Sequence, residues 1–163
     1  NWMAHYQTTS QEIIEDTDGR VTHFVAGLGT SGTLMGVGRG LKEKLPAVKI
    51  ISVEPETDSF IQGLKDLKTQ SNPGIFDHNI LDQRIFVSKL SAECAARNLA
   101  ADEGIFVGPS AGAALVGALN VATYLHNHDI ADAIVVVLFA DSGVKYVSDS
   151  IFSTPNQELC IEF

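Results

Sequence analysis

Positive charge is scarce in this chain. Eleven lysines and arginines stand against twenty aspartates and glutamates, a formal net charge of −9. Binding along a phosphate backbone needs a basic face, so a nucleic-acid partner is not expected. Cysteine is scarce as well, with only Cys94 and Cys160, and their spacing fits no metal-ligand pattern. The five histidines are scattered, and His126 and His128 close a helical stretch without a cysteine or carboxylate framework. No metal site is expected. The two cysteines read as reduced thiols in a cytoplasmic protein. Long apolar runs are missing too: the longest, Ala133 to Ala140, is far short of the roughly 20 residues that cross a bilayer. The opening "NWMAHYQTTSQ" has neither the basic nor the apolar region of a secretory signal. Neither a membrane nor secretion is expected.

What the chain does have is a core and an order. Its 163 residues are 45% hydrophobic, enough for one globular domain over residues 1–163. Val21 to Ala26, "VTHFVA", reads as a buried strand, and Thr33 to Lys44 as a helix with cations in its last turn and Pro46 as its stop. Lys49 to Val53 and Arg84 to Ser88 read as strands. Ser91 to Glu103 reads as a helix with Ser91 as N-cap. Ile105 to Val107 reads as a short strand. Ala111 to His126 reads as a strongly apolar helix, Ile134 to Phe139 as the most hydrophobic strand, and Lys145 to Ile151 as one or two helical turns. A further helix spans about Ser10 to Glu15, and Asn72, Pro73 and Gly74 signal a turn in the irregular stretch from Gly63 to Asn79. Strands and helices alternate, and the strands are continuously apolar. That combination predicts an α/β fold: three layers, αβα, around a mostly parallel sheet.

Glycine concentrates at one place. In "FVAGLGTSGTLMGVGRGLKEKL", four glycines and three small hydroxyl residues fall between Gly27 and Gly36. Glycine is costly to order, so the density calls for a reason. A strand, a glycine-rich turn and a helix together present unpaired amides to an anion, and the helix dipole favours negative charge at the same point. The stretch reads as a phosphate cradle. No lysine followed by Ser or Thr closes the glycines, so the P-loop pattern is absent. Gly27, Gly29 and Gly32 do fit a dinucleotide fingerprint, with Glu54 closing the next strand, so by spacing alone that alternative stays open. Two further junctions should reach the same sheet edge: "GIFVGPSAGAAL", with Ser110 at the expected N-cap, and "FADSGVKYVSDSIF" after the last strand.

Taken together, these three stretches resemble the fold type II pyridoxal-phosphate enzymes, specifically the cysteine synthase and cystathionine β-synthase family. "GLGTSGTLMGVGRG" is similar to that family's G-x-G-T-G-G-T phosphate loop. "EGIFVGPSAGAAL" is similar to its serine-bearing helix, and "DSGVKYVSDSIF" to its D-S-G-x-R-Y-L-S segment. "NPGIFDHNILDQ" resembles the P-G-I-F version found in thiosulfate-accepting, B-type cysteine synthases.

The resemblance implies a tryptophan synthase β-subunit-like fold, incomplete here, and pyridoxal 5'-phosphate as cofactor. It implies that Gly29, Thr30, Ser31, Gly32 and Thr33 hold the phosphate, that Ser110 meets the pyridine nitrogen, and that Asp141 and Ser142 lie beside that end of the ring. Ser31 stands where glycine is usual, which is tolerable only if φ is not strongly positive there. Pro109 is less usual before the serine, and Val144 and Lys145 depart from a common acid–arginine pair. The family's Schiff-base lysine and its substrate-carboxylate loop precede the phosphate loop, and none of the seven lysines here has that context. No catalytic residue is assigned, and the chain reads as the C-terminal portion of such an enzyme, lacking its N-terminal half. The implied reaction is β-replacement forming L-cysteine from O-acetylserine, or a related activated serine, and a sulfur donor, in a homodimer. Serine or threonine dehydration, cystathionine β-synthase chemistry and a non-catalytic binding or interaction module are the alternatives.

Overall fold

Four parallel strands form one sheet in a computed structural model of the chain, which describes residues 1–69, 71 and 73–153. Two helices, α1 (Trp2–Gln7) and α2 (Thr9–Asp16), precede β1 (His23–Gly27), α3 (Gly32–Lys44) and β2 (Lys49–Pro55). After a long loop come β3 (Gln83–Val87), α4 (Lys89–Glu103), α5 (Pro109–Asn127), β4 (Val135–Val137) and a short α6 (Ser150–Ser153). The sheet order is β3-β2-β1-β4, and every pairing is parallel. Val25 sits opposite Ile51 on one side and Val137 on the other.

Helices cover both faces, so the expected three layers are present. On one face Phe24, Ala26 and Ile50 pack against Leu34, Met35, Val37 and Leu41 of α3. On the other, Val25, Ile51 and Val53 pack against Ala113, Ala118 and Val121 of α5. This two-sided burial explains why β2 is solvent-free from Ile50 to Pro55 and shows no alternation. Each fully buried Phe24, Ile50 or Ile51 side chain contributes about 1.5–3 kcal/mol relative to exposure.

The outer helices dock by close backbone approach. A Cβ on Gly112 of α5 would lie 2.0 Å from the Ala92 carbonyl oxygen of α4. One on Gly36 of α3 would overlap the Trp2 carbonyl of α1. Glu54 is an acid within the sheet, fully buried and held by Ser52 Oγ at 2.9 Å and by Arg84 Nε at 2.7 Å. Hydrogen bonding to Glu54 raises the Arg84 pKa above its ordinary value.

Several sequence expectations need correcting. Ser91 does not cap α4: the helix starts two residues earlier, and Ser88 Oγ accepts from the Ser91 amide at 3.1 Å. Lys89 and Leu90 are good helix formers, so nothing delays the start. Ser110 is not an N-cap either. Gly108 holds that position and Pro109 fills the first turn, where its missing N–H is harmless. Ile105 to Val107 forms no sheet strand. Val107 makes only an isolated antiparallel bridge to Ser142, and Ile105 and Phe106 stay exposed. Cys94 is disulfide-bonded rather than reduced, a state that residue spacing cannot report; Cys160 lies outside the described residues, as does Asn72 of the expected turn. No helix among the described residues is long and apolar enough to cross a membrane.

Candidate functional site

The strand order reverses between β1 and β4. From β1 the chain moves outward through β2 and β3, then returns to the opposite side for β4. In open α/β sheets such a switch point leaves a crevice beyond the carboxyl ends of the strands. A cavity of about 220 Å3 lies there. Its walls are Ala26 and Gly27 from the end of β1, Leu138 and Ala140 after β4, the loop Gly29–Thr33, Gly63 and Leu64, and Ser110.

The loop reaches this position by short contacts. Leu28 donates its amide to the Val53 carbonyl at 2.8 Å and accepts from Lys65 at 2.7 Å. A Cβ on Gly29 would come within 2.7 Å of the Gly63 carbonyl oxygen, so no side chain fits there. Ser31 caps α3 in a left-handed conformation, φ +66° and ψ 0°. The sequence expectation of a φ that is not strongly positive is therefore corrected. Among the described residues, none of the amides from Gly29 to Thr33 donates to a protein acceptor. Ser31 Oγ is buried without a partner, and Ser110 Oγ bonds to no described residue. The face of the cavity is thus a set of unpaired donors at the start of a 13-residue helix.

Of the sequence-predicted residues, Gly29, Thr30, Ser31, Gly32, Thr33 and Ser110 line this one cavity. Asp141 and Ser142 stand next to it but outside its lining. Ser142 Oγ accepts from the Val144 amide at 3.3 Å and caps a 3-10 turn over Gly143–Tyr146. Asp141 accepts from the Tyr146 hydroxyl at 2.7 Å, while its other oxygen is buried without a partner. Burial, then the bond to Asp141, pushes the Tyr146 phenol up to about 12. Together with the Val107–Ser142 bridge, this pins the 141–146 segment against the turn that leads into Ser110.

Three contributions escaped the sequence reading. His5 Nε2 lies 3.3 Å from Thr33 Oγ1, and its Nδ1 lies 3.1 Å from Thr9 Oγ1. That contact spans 28 positions and has no periodic signature. Gly63, at φ +91°, and Leu64 form a wall of the cavity from within a stretch whose sequence looks irregular. The only local signal is the glycine itself. Leu138 reads simply as part of the last strand, and Ala140 carries no assigned role within the stretch that follows it.

The donor set fits a phosphate monoester: unpaired amides, an unpartnered hydroxyl, a helix N-terminus and a position where a Cβ would fill the cradle. Ser110 lines the same cavity as the loop. A dinucleotide fits less well, because Glu54, the acid expected at the ribose, is buried and already bonded to Ser52 and Arg84.

Comparison with known proteins agrees. The profile of a family described as "Pyridoxal-phosphate dependent enzyme" matches residues 1–141. "Cysteine synthase" of Aquifex aeolicus is 44% identical over 154 residues, covering 94% of this chain and 47% of that protein. "Cysteine synthase B" of Escherichia coli is 41% identical over 152 residues, covering 93% and 48%. The crystal structure of O-acetylserine sulfhydrylase isoform 3 from Entamoeba histolytica superposes with a TM-score of 0.85 at 30% identity, over 96% of this chain and 48% of that one. The chain therefore spans about half the length of the relatives it matches.

Proposed function

Because this chain belongs to the pyridoxal-phosphate dependent enzyme family, we propose that it is the cofactor-cradling portion of a cysteine synthase that makes L-cysteine by β-replacement. The observation that carries the reading is the single cavity shared by the unpaired amides of Gly29–Thr33 and the Ser110 hydroxyl. When bound, pyridoxal phosphate supplies an electron sink for bond breaking at the substrate α- and β-carbons.

Each residue has a distinct part in this reading. Gly29, Thr30, Ser31, Gly32 and Thr33 hold the phosphate through amides and hydroxyls, helped by the α3 dipole. Ser110 would donate a hydrogen bond from its hydroxyl to the pyridine nitrogen. A hydroxyl leaves that nitrogen unprotonated where an aspartate would protonate it, and the weaker sink suits β-replacement over transamination. Ala26, Leu138 and Ala140 keep water from the ring. Asp141 and Ser142 brace the Ser110 turn through Tyr146 and the 3-10 cap. The substrates are small molecules, an activated serine such as O-acetylserine and a sulfur donor. The reading includes a cytoplasmic homodimer; exposed apolar side chains such as Phe60, Leu90, Val144 and Val147 support self-association.

None of the seven lysines lines the cavity. This supports a second element of the reading: the chain alone binds cofactor without turning over substrate, and a lysine from further sequence or a partner completes the site. The test is to load the chain with pyridoxal phosphate, reduce with borohydride and digest for mass spectrometry. Saturable binding with no lysine adduct is expected. A stoichiometric adduct on any of its seven lysines would contradict the reading. Supplied with a lysine-bearing partner half, the complex should form cysteine from O-acetylserine and sulfide. Formation of a ketoacid from threonine instead would favour the dehydratase alternative.

A further inference from the structure

The amino ends of three neighbouring strands border a second cavity, at the opposite end of the sheet from the glycine loop. It measures about 760 Å3 against about 220 Å3 for the first, a volume in the range of small-molecule sites. Side chains alternate along a strand, so His23 of β1, Lys49 of β2, and Gln83 and Ile85 of β3 share the sheet face that carries Val25, Ile51 and Val53 against α5. Asn120, Val121 and Tyr124 of α5 form the other wall. His23 and Gly27 are the two ends of β1, so about 13 Å of strand separates this cavity from the first.

Its charge is not balanced from within. Asp82 accepts from Lys42 Nζ at 2.7 Å, from the Ile50 amide at 2.9 Å and from Lys49 Nζ at 3.4 Å. Lys42 already neutralises this carboxylate. That leaves Lys49, more than half exposed, as a surplus cation with donors to spare. Arg84 borders the cavity as well, but its guanidinium is bonded to Glu54. The field at His23 has the matching sign: its pKa lies below the ordinary value because of burial first and Lys49 second, with Asp82 opposing more weakly. The side-chain amides of Gln83 and Asn120 bond to no described residue. Buried Ile85 and Val121 supply an apolar floor, and the exposed Tyr124 ring is held by stacking on His128, centroids 4.0 Å apart.

We propose that this cavity binds a small aromatic carboxylate, its carboxylate at Lys49 and its ring against Tyr124 and the Ile85 and Val121 floor, with the Gln83 and Asn120 amides open to polar ring substituents. A single surplus cation suits a monoanion better than a phosphate dianion, and an oriented ring beside apolar side chains suits a planar body. The inference stands apart from the cofactor reading, since no residue lines both cavities.

Benzoate is the probe and benzamide its neutral counterpart, each titrated into the 15N-labelled chain. Benzoate should shift the amides of His23, Lys49, Gln83, Ile85, Asn120 and Tyr124 saturably at millimolar concentration. Benzamide should bind about ten-fold or more weakly, as expected where a hydrogen bond to a charged group is missing. Lys49→Met should weaken benzoate by the same factor and leave benzamide unchanged. Tyr124→Ala should weaken both by about two- to ten-fold. Lys89→Met removes a similarly exposed cation, paired with Glu93 outside the cavity, and should change neither. Equal affinity for benzoate and benzamide, or equal losses in Lys49→Met and Lys89→Met, would overturn the inference. The first comparison needs no variant, so it decides even where a substitution unfolds the chain. Benzoate shifts confined to Gly29–Thr33 and Ser110, or no saturable shift at tens of millimolar, would overturn it too. So would shifts at the six amides that follow protein concentration without ligand, because a second copy would then fill the cavity.

Discussion

The junction of α4 and α5 offers a sharp test of how packing positions the site. Gly112 lies two residues beyond Ser110 on α5, at the point where α5 crosses α4. Replacing it with alanine places a methyl 2.0 Å from the Ala92 carbonyl oxygen, 2.9 Å from the Ala96 amide nitrogen and 3.0 Å from the Ala96 Cβ. Two of the three are backbone atoms, so no flexible side chain can yield, and the helices must part by more than an ångström. Two effects oppose each other. Helix propensity favours alanine over glycine by about 1 kcal/mol. Overpacking a tight core costs about 1–3 kcal/mol and more where backbone must move. The second should win by about 2 kcal/mol, lowering the melting temperature by about 4–8 °C. Gly74→Ala is the control, since nothing lies within 4 Å of the new methyl and its effect should stay within about 0.5 kcal/mol. Calorimetry or urea denaturation reads both. A Gly112→Ala variant stabilised by the full propensity term would refute the claimed contact. If the contact is right, the same variant should also bind pyridoxal phosphate more weakly, because Ser110 moves with its helix.

Other outcomes follow from the same structure. Arg84→Met leaves the fully buried Glu54 without its cation and should cost about 3–5 kcal/mol in denaturant unfolding; adding Glu54→Gln should recover part of the loss. Ser110→Ala should weaken pyridoxal phosphate binding by about two- to ten-fold, the worth of one neutral hydrogen bond, while leaving inorganic phosphate affinity unchanged. Equal loss for both ligands would show that Ser110 acts only through the helix. Tyr146→Phe should remove from an alkaline absorbance titration the phenol that ionises near pH 12. Because folding raises that pKa, the stabilisation is complete below the ordinary value of 10.0 and fades as pH climbs through about 12. The stability deficit of the phenylalanine variant should therefore be flat up to pH 10 and shrink above it.

The parts of the fold that could be read in the sequence are those where a residue pattern answers to a single physical cause. Continuous apolar runs gave β1, β2 and β4 because both faces of the sheet are covered. The glycine loop could be read as a cradle because a strand, glycines and a helix start leave amides free wherever they occur. Local rules failed where a neighbour distant in sequence decides. Ile105 to Val107 has the composition of a strand but runs outside the sheet, bridged at Val107 to Ser142. The start of α5 shifted because Pro109 serves as a first-turn residue rather than a turn. Gly63 and His5 enter the site through contacts across 34 and 28 positions, to Gly29 and Thr33, which no pattern along the chain encodes. Ser31 is the instructive case. Its identity suggested ordinary backbone geometry, and the structure holds it at φ +66°, a left-handed conformation that favours glycine.

Titrating the 15N-labelled chain with inorganic phosphate while recording amide shifts tests the central claim most directly. The account predicts saturable shifts centred on Gly29, Thr30, Ser31, Gly32 and Thr33, with smaller changes at Gly63 and Ser110. Shifts confined to lysine-bearing surface segments, or none at these amides at millimolar phosphate, would contradict it.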